Sequence, residues 1–191
     1  MATCGDRSKK TKSHEKLRLR PFHFPCFAFA NGWDALKAPD AIAVMRHALA
    51  PGTSDPTEFA LGDCATQRNL DDRGREQARK TGDAFRENGI VFDKVFVGQW
   101  CRTRETAELL NVGPVLDASS LNSFFQDFST REHQTRQTIK LIEETVGRPL
   151  LVTHQVNISA LTGIGTRSGE MLIIRLMDGE AQVIGSILID P

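Results

Sequence analysis

Ala41-Ile42-Ala43-Val44-Met45-Arg46-His47-Ala48 is the stretch that decides the fold. Five apolar residues in a row, between Pro39-Asp40 and Ala50-Pro51-Gly52, read as a short, fully buried strand over 41–46. The run ends in a guanidinium and an imidazole. Open α/β sheets hold their ligands at the carboxyl ends of their strands, so Arg46 and His47 stand where a site would form. The plainer alternative is a strand that turns polar on reaching the surface, and the dipeptide alone does not separate the two.

Downstream, strands and helices alternate. Residues 48–69 form a long connection rich in Pro, Gly, Ser, Thr and Asp, and a loop of that length in a compact domain is more often functional than idle. Asp71 or Asp72 caps a helix that stops at Asn88-Gly89. A second strand over 94–98 runs through Gly98-Gln99-Trp100-Cys101 into a helix over 102–111, and Val115-Leu116 is a third. After a loop over 117–129, a helix over 130–146 carries Thr138, Leu141, Ile142 and Val146 on one stripe. Leu150-Leu151-Val152-Thr153-His154 repeats the opening pattern, a buried strand ending in histidine, with a short helix over 157–162 behind it. Two aliphatic runs, 171–177 and 181–189, flank Asp178-Gly179, a strong hairpin signal. The fold class is therefore α/β: a mostly parallel sheet with helices on both faces, closed by an antiparallel pair. Upstream, Trp33 and Leu36 suggest a helical turn packed on the core.

Composition bounds the function. The 191 residues carry 24 Lys+Arg and 24 Asp+Glu. Seven of the basic residues lie in residues 1–30 against Asp6 and Glu15, so the arm is basic and the body, 31–191, mildly acidic. An acidic body argues against a nucleic-acid binder, and no apolar run approaches the roughly 20 residues of a membrane span. The arm reads either as a cleavable leader ending near Ala28-Phe29-Ala30 or as a basic extension, which would place the protein in the periplasm or outside the cell in the first case and in the cytoplasm in the second. Cys4 and Cys26 belong to the arm; Cys64 and Cys101 are either a disulfide or two buried thiols.

Three strand ends can converge at one sheet edge, bringing together His47, His154, Arg46 and Arg102. Two fixed cations make a poor metal site and a good phosphoryl site, because arginine matches phosphate oxygens bidentately and keeps its charge. With Leu70, Gly74, Gln77 and Ala78 opening a helix and Arg102-Thr103-Arg104-Glu105-Thr106-Ala107 opening the next, these motifs resemble the histidine phosphatase superfamily, the phosphoglycerate-mutase-like proteins. The sequence departs from that pattern at Ala48 and Gln155, where glycine is usual.

The resemblance implies a metal-independent phosphomonoesterase with no cofactor. His47 is then the nucleophile that forms a phosphohistidine, and Arg46, Arg102 and His154 hold the phosphoryl oxygens. Asp127 is preferred to Glu132 as proton donor to the leaving group, although capping a helix is an equal use for it. Arg68 and Asn69 end the loop after the nucleophile and are candidates for touching substrate. Trp100 either lines the pocket mouth or packs in the core, while Arg104 and His133 face solvent. A tryptophan-glutamate-glycine segment typical of the mutases is absent, which favours a phosphatase acting on a phosphorylated sugar, metabolite or protein side chain. The competing reading is a phospho-ligand binding protein with the same pocket and negligible turnover. Oligomeric state is not legible.

Overall fold

The computed structural model describes residues 31–191. The arm, with its cysteines and its leader or extension, lies outside the described residues.

Six strands form one sheet in the order β3-β2-β4-β1-β5-β6. They are β1 (Ile42–Arg46), β2 (Lys94–Val97), β3 (Val115–Asp117), β4 (Pro149–Thr153), β5 (Met171–Met177) and β6 (Glu180–Ile187). β3, β2, β4 and β1 pair in parallel; β5 runs antiparallel to β1, and β6 to β5. The antiparallel pair turns at Asp178-Gly179, both at positive φ, as a two-residue hairpin turn of matching twist requires.

Successive strand residues point to opposite faces, and the core divides accordingly. Ala43, Met45, Val95, Val97, Leu150, Val152, Met171 and Ile173 share a cluster with α1 (Gly32–Leu36), α2 (Asp72–Glu87) and α3 (Cys101–Leu110). Ile42, Val44, Phe96, Leu151, Leu172 and Ile174 meet α4 (Arg131–Glu143) and α5 (Gln155–Thr162) on the other face. The result is a three-layer α/β/α sandwich. Phe85, fully buried on α2, contacts Trp33 and Phe92 edge to face; burying such a ring contributes about 1.5–3 kcal/mol. Gly82 lets α2 lie against α3, since a Cβ there would stand 2.1 Å from the Leu110 carbonyl oxygen.

One expected element is shorter than its sequence pattern. The helix expected over 130–146 ends at Glu143, and Val146 is 85% exposed rather than part of the buried stripe. Gly147, at φ +92, turns the chain towards β4, where Arg148 N–H donates to Asp93 Oδ2 at 2.6 Å. That turn leaves Val146 outside the packed face, while Thr138 and Ile142 stay buried.

Candidate active site

The strand order brings the chemistry together. β4 lies between β2 and β1, so their three carboxyl ends are neighbours. β1 delivers Arg46 and His47, β4 delivers His154, and β2 leads through a turn to Arg102 on the first turn of α3. Register is kept past the strand ends, where His47 N–H donates to the Thr153 carbonyl at 3.0 Å. The four side chains line one cavity of about 300 Å³, together with Asp55, Arg68, Trp100 and Phe125.

His47 is 2% exposed. Its Nδ1 donates to the Ala48 carbonyl at 2.8 Å, which puts the ring proton on Nδ1 and the lone pair on Nε2. That lone pair accepts from Arg102 Nε at 3.3 Å. Burial, then Arg102, Arg46 and Arg68, hold the His47 pKa well below the ordinary imidazole value, outweighing the Ala48 bond, so the ring is neutral. His154, 4% exposed, lies edge to face with His47 at 5.4 Å. Burial, with His47 and the arginines, keeps it neutral too. Its Nδ1 accepts from Arg102 Nη2 at 3.5 Å, leaving Nε2 as a donor.

Arg102 is oriented from behind. Asp55 takes Nη1 at 2.7 Å and Nη2 at 3.2 Å in a bidentate pair. The same carboxylate accepts from Trp100 Nε1 at 3.0 Å and Arg68 N–H at 3.1 Å. With its end-on fork held, the guanidinium turns its Nε/Nη2 edge between the two histidines. Asp55 is buried, which raises its pKa, but the Arg102 contacts outweigh this and keep it ionised below the usual carboxylate range. Burial and neighbouring Arg102 lower the Arg68 pKa to about 10, still charged at neutral pH. Three buried nitrogens in this cavity, Arg46 Nε, Arg68 Nε and His154 Nε2, have no hydrogen-bond partner among the described residues. Buried donors are rarely left unpaired, and these three belong to residues that line the cavity together with the guanidinium of Arg102, a set of cations and donors that suits a tetrahedral oxyanion.

Some expected residues are placed elsewhere. Asp127 is exposed and does not line the cavity. Its carboxylate accepts from the Ser129 hydroxyl at 2.6 Å and amide at 3.0 Å, capping the 3-10 turn Phe128–Thr130. Those bonds hold its pKa below the ordinary value, the opposite of what a proton donor needs. Glu132 is exposed and faces Arg136. Asn69 lines a separate groove, where it donates to the Cys64 and Gln67 carbonyls and braces the turn Cys64–Thr66. Arg68 does reach the cavity, anchored on the Ala50 carbonyl.

The two departures from the family pattern are accommodated. Ala48 sends its methyl into a small cluster with Ala50, Leu70 and Ala78, not into the cavity. Gln155 Oε1 accepts from Arg46 Nη1 at 2.9 Å and so holds that arginine in place. Sequence reasoning missed Asp55. Within Ser54-Asp55-Pro56 it reads as turn chemistry, and its one visible signal is membership of the long loop that starts at the site.

A central sheet with these four residues at its carboxyl edge defines the class, and the sequence agrees with it. The profile of the histidine phosphatase superfamily (branch 1) matches residues 42–124, the stretch that carries Arg46, His47, Asp55, Arg68 and Arg102. Over that stretch the chain is similar to this superfamily. Among known proteins it is 42% identical over 50 residues to the mitochondrial serine/threonine-protein phosphatase Pgam5 of Drosophila grimshawi and 44% to that of Drosophila virilis, covering 26% of this chain. The chain spans only 17% of the length of these relatives in the match. Among solved structures, Rv3214 of Mycobacterium tuberculosis superposes with a TM-score of 0.58 at 15% identity, covering 78% of this chain and 96% of that one. The protein histidine phosphatase SixA, solved with tungstate, gives 0.53 at 16%, with coverage of 78% and 96%.

Proposed function

We propose that the protein is a metal-independent phosphohydrolase acting through a phosphohistidine on residue 47. One observation carries this reading: a neutral imidazole with its proton fixed on Nδ1 keeps an unprotonated Nε2 beside Arg102, in a cavity that Arg46, Arg68, Arg102 and His154 also line. His47 Nε2 attacks phosphorus and the P–O (or P–N) bond to the leaving group breaks. Arg102 through Nε and Nη2, His154 through Nε2–H, and Arg46 and Arg68 receive the charge that builds on the non-bridging oxygens. Water then attacks the phosphohistidine, releasing phosphate and restoring His47. Asp55 orients Arg102. It is not offered as the proton donor, because it is held ionised. SixA was solved with tungstate, a tetrahedral oxyanion, which is compatible with a phosphoryl site on this fold, and the protein-phosphatase names of SixA and Pgam5 are compatible with a phosphorylated side chain as substrate. A phosphorylated sugar or metabolite is equally compatible.

Incubation with an aryl phosphate in the presence of EDTA tests the reading. The expected result is turnover despite the chelator and an acid-labile, base-stable phosphoenzyme, both lost in His47→Ala. Phosphate binding with neither turnover nor phosphoenzyme would favour the competing reading, a phospho-ligand binding protein. Undiminished activity of His47→Ala would overturn the assignment of the nucleophile.

A further inference from the structure

The charges of the cavity and its apolar surface are carried by different residues. Its guanidiniums, Arg46, Arg68 and Arg102, are each tied to protein groups beside the two histidines. The remaining wall, including Thr53, Ser54, Ser123, Gln126 and Val156, carries no charge apart from Asp55, which Arg102 neutralises. Within that wall Phe125 lines the cavity while remaining 50% exposed, an unusual position for a phenylalanine. Phe125 contacts Phe128 at 6.3 Å, and Phe128 contacts Phe124 at 5.8 Å, with Phe124 buried at 3%. Aromatic contacts thus link buried Phe124, through the exposed ring of Phe128, to Phe125 at the cavity. On another part of the lining, Trp100 is clamped by a stacked Phe59 and by its bond to Asp55.

We propose that Phe125 is the platform of a leaving-group subsite, and that the substrate is a phosphoryl compound whose leaving group presents a flat, uncharged ring. This rests on the reading of the cavity as the phosphoryl site. A ring stacked or edge-on to Phe125 removes apolar surface of both from water. A leaving group with a second carboxylate or phosphate would meet no unengaged cation on this wall and would lose hydration without compensation. Leaving-group chemistry points the same way. Among the described residues lining the cavity no carboxyl group is held protonated, so a ring oxygen or nitrogen that departs as a weak base is favoured over an alkoxide.

Binding of non-hydrolysable phosphonates separates this proposal from the catalytic reading. Phenylphosphonate, methylphosphonate and phosphonoacetate are titrated calorimetrically into wild-type protein, Phe125→Ala and Phe125→Leu. Wild type should bind phenylphosphonate about tenfold tighter than methylphosphonate, with phosphonoacetate no tighter than methylphosphonate. Phe125→Ala should abolish the phenyl preference and leave methylphosphonate binding unchanged, with Phe125→Leu between the two. Equal binding of phenyl and methyl compounds by wild type, a parallel loss of both in Phe125→Ala, or a preference for phosphonoacetate would each overturn the proposal. Loss of turnover in the aryl phosphate assay with this binding pattern intact would overturn the catalytic reading alone.

Discussion

Arg102 has five N–H donors, and the structure accounts for each. Nε faces His47; Nη1 serves Asp55 and the Arg68 carbonyl; Nη2 serves Asp55 and His154. Only the edge directed at the histidines can be handed to a phosphoryl group without breaking the Asp55 pair, so Asp55 decides which edge that is. Asp55→Asn keeps the shape but puts an amide N–H against guanidinium donors, and the fork loses its anchor. The expected outcome is a fall in kcat/KM for an aryl phosphate of about 10- to 100-fold, the range found when a partner that orients a catalytic group is removed. Steady-state kinetics at neutral pH measure it, and a variant as fast as wild type would remove Asp55 from the mechanism. At this scale the sequence was only partly legible. His47, Arg46, His154 and Arg102 announce themselves by ending strands or opening a helix. Asp55 and Phe125 do not, because a loop side chain's direction is set by what the loop packs against.

The loop between β1 and α2 is the element on which the site depends most, since it carries both Asp55 and Arg68. Besides the Arg102 bonds to Asp55 and the Arg68 carbonyl, two bonds fasten it to Cys101 of α3. Cys64, in the turn Cys64–Thr66, is bonded to Cys101, the first residue of α3. Gln67 Oε1 accepts from Cys101 N–H at 2.9 Å. The sequence left a disulfide and two buried thiols as alternatives, and the structure pairs the cysteines. The bridge closes a loop with a sequence separation of 37 and lies next to Arg102 in the chain. Replacing both cysteines by serine, or reducing the bridge, should lower the free energy of unfolding by about 2–4 kcal/mol. Denaturant titrations with and without reductant check this, and superimposable curves would show that packing and the Gln67 bond suffice to hold the loop.

Over the whole molecule, the two buried histidines couple folding to pH. Both are neutral when folded, with pKa values held well below 6.5 by burial and by neighbouring cations. In the unfolded chain they titrate near 6.5. Above that pH neither state takes up a proton and stability is insensitive to these groups. Below it the unfolded chain binds protons that the folded protein refuses, so stability declines as pH falls towards the folded values. The slope is about 1.4 kcal/mol per pH unit for each histidine. Melting temperatures measured from pH 7.5 to 5.5 should fall for wild type and fall less steeply for His154→Gln. Identical slopes would mean that His154 takes up protons in the folded state.

The alternation of apolar strands with helices, three of the strands closing in Arg-His, Thr-His or a turn to Arg102, is local information. Periodicity, caps and turn residues act over a few positions, and they were enough to determine an α/β sandwich with two histidines and two arginines at one sheet edge. What tertiary structure alone decided is how side chains from the loops meet that edge. Asp127, preferred from the sequence as the acid because it lies in the loop and not on the helix, caps its own turn at Ser129. Asp55, 47 residues from Arg102, becomes its partner. A loop carboxylate goes to whichever donors the folded chain brings within about 3 Å of it, and distances between residues far apart in the chain exist only once the sheet has assembled.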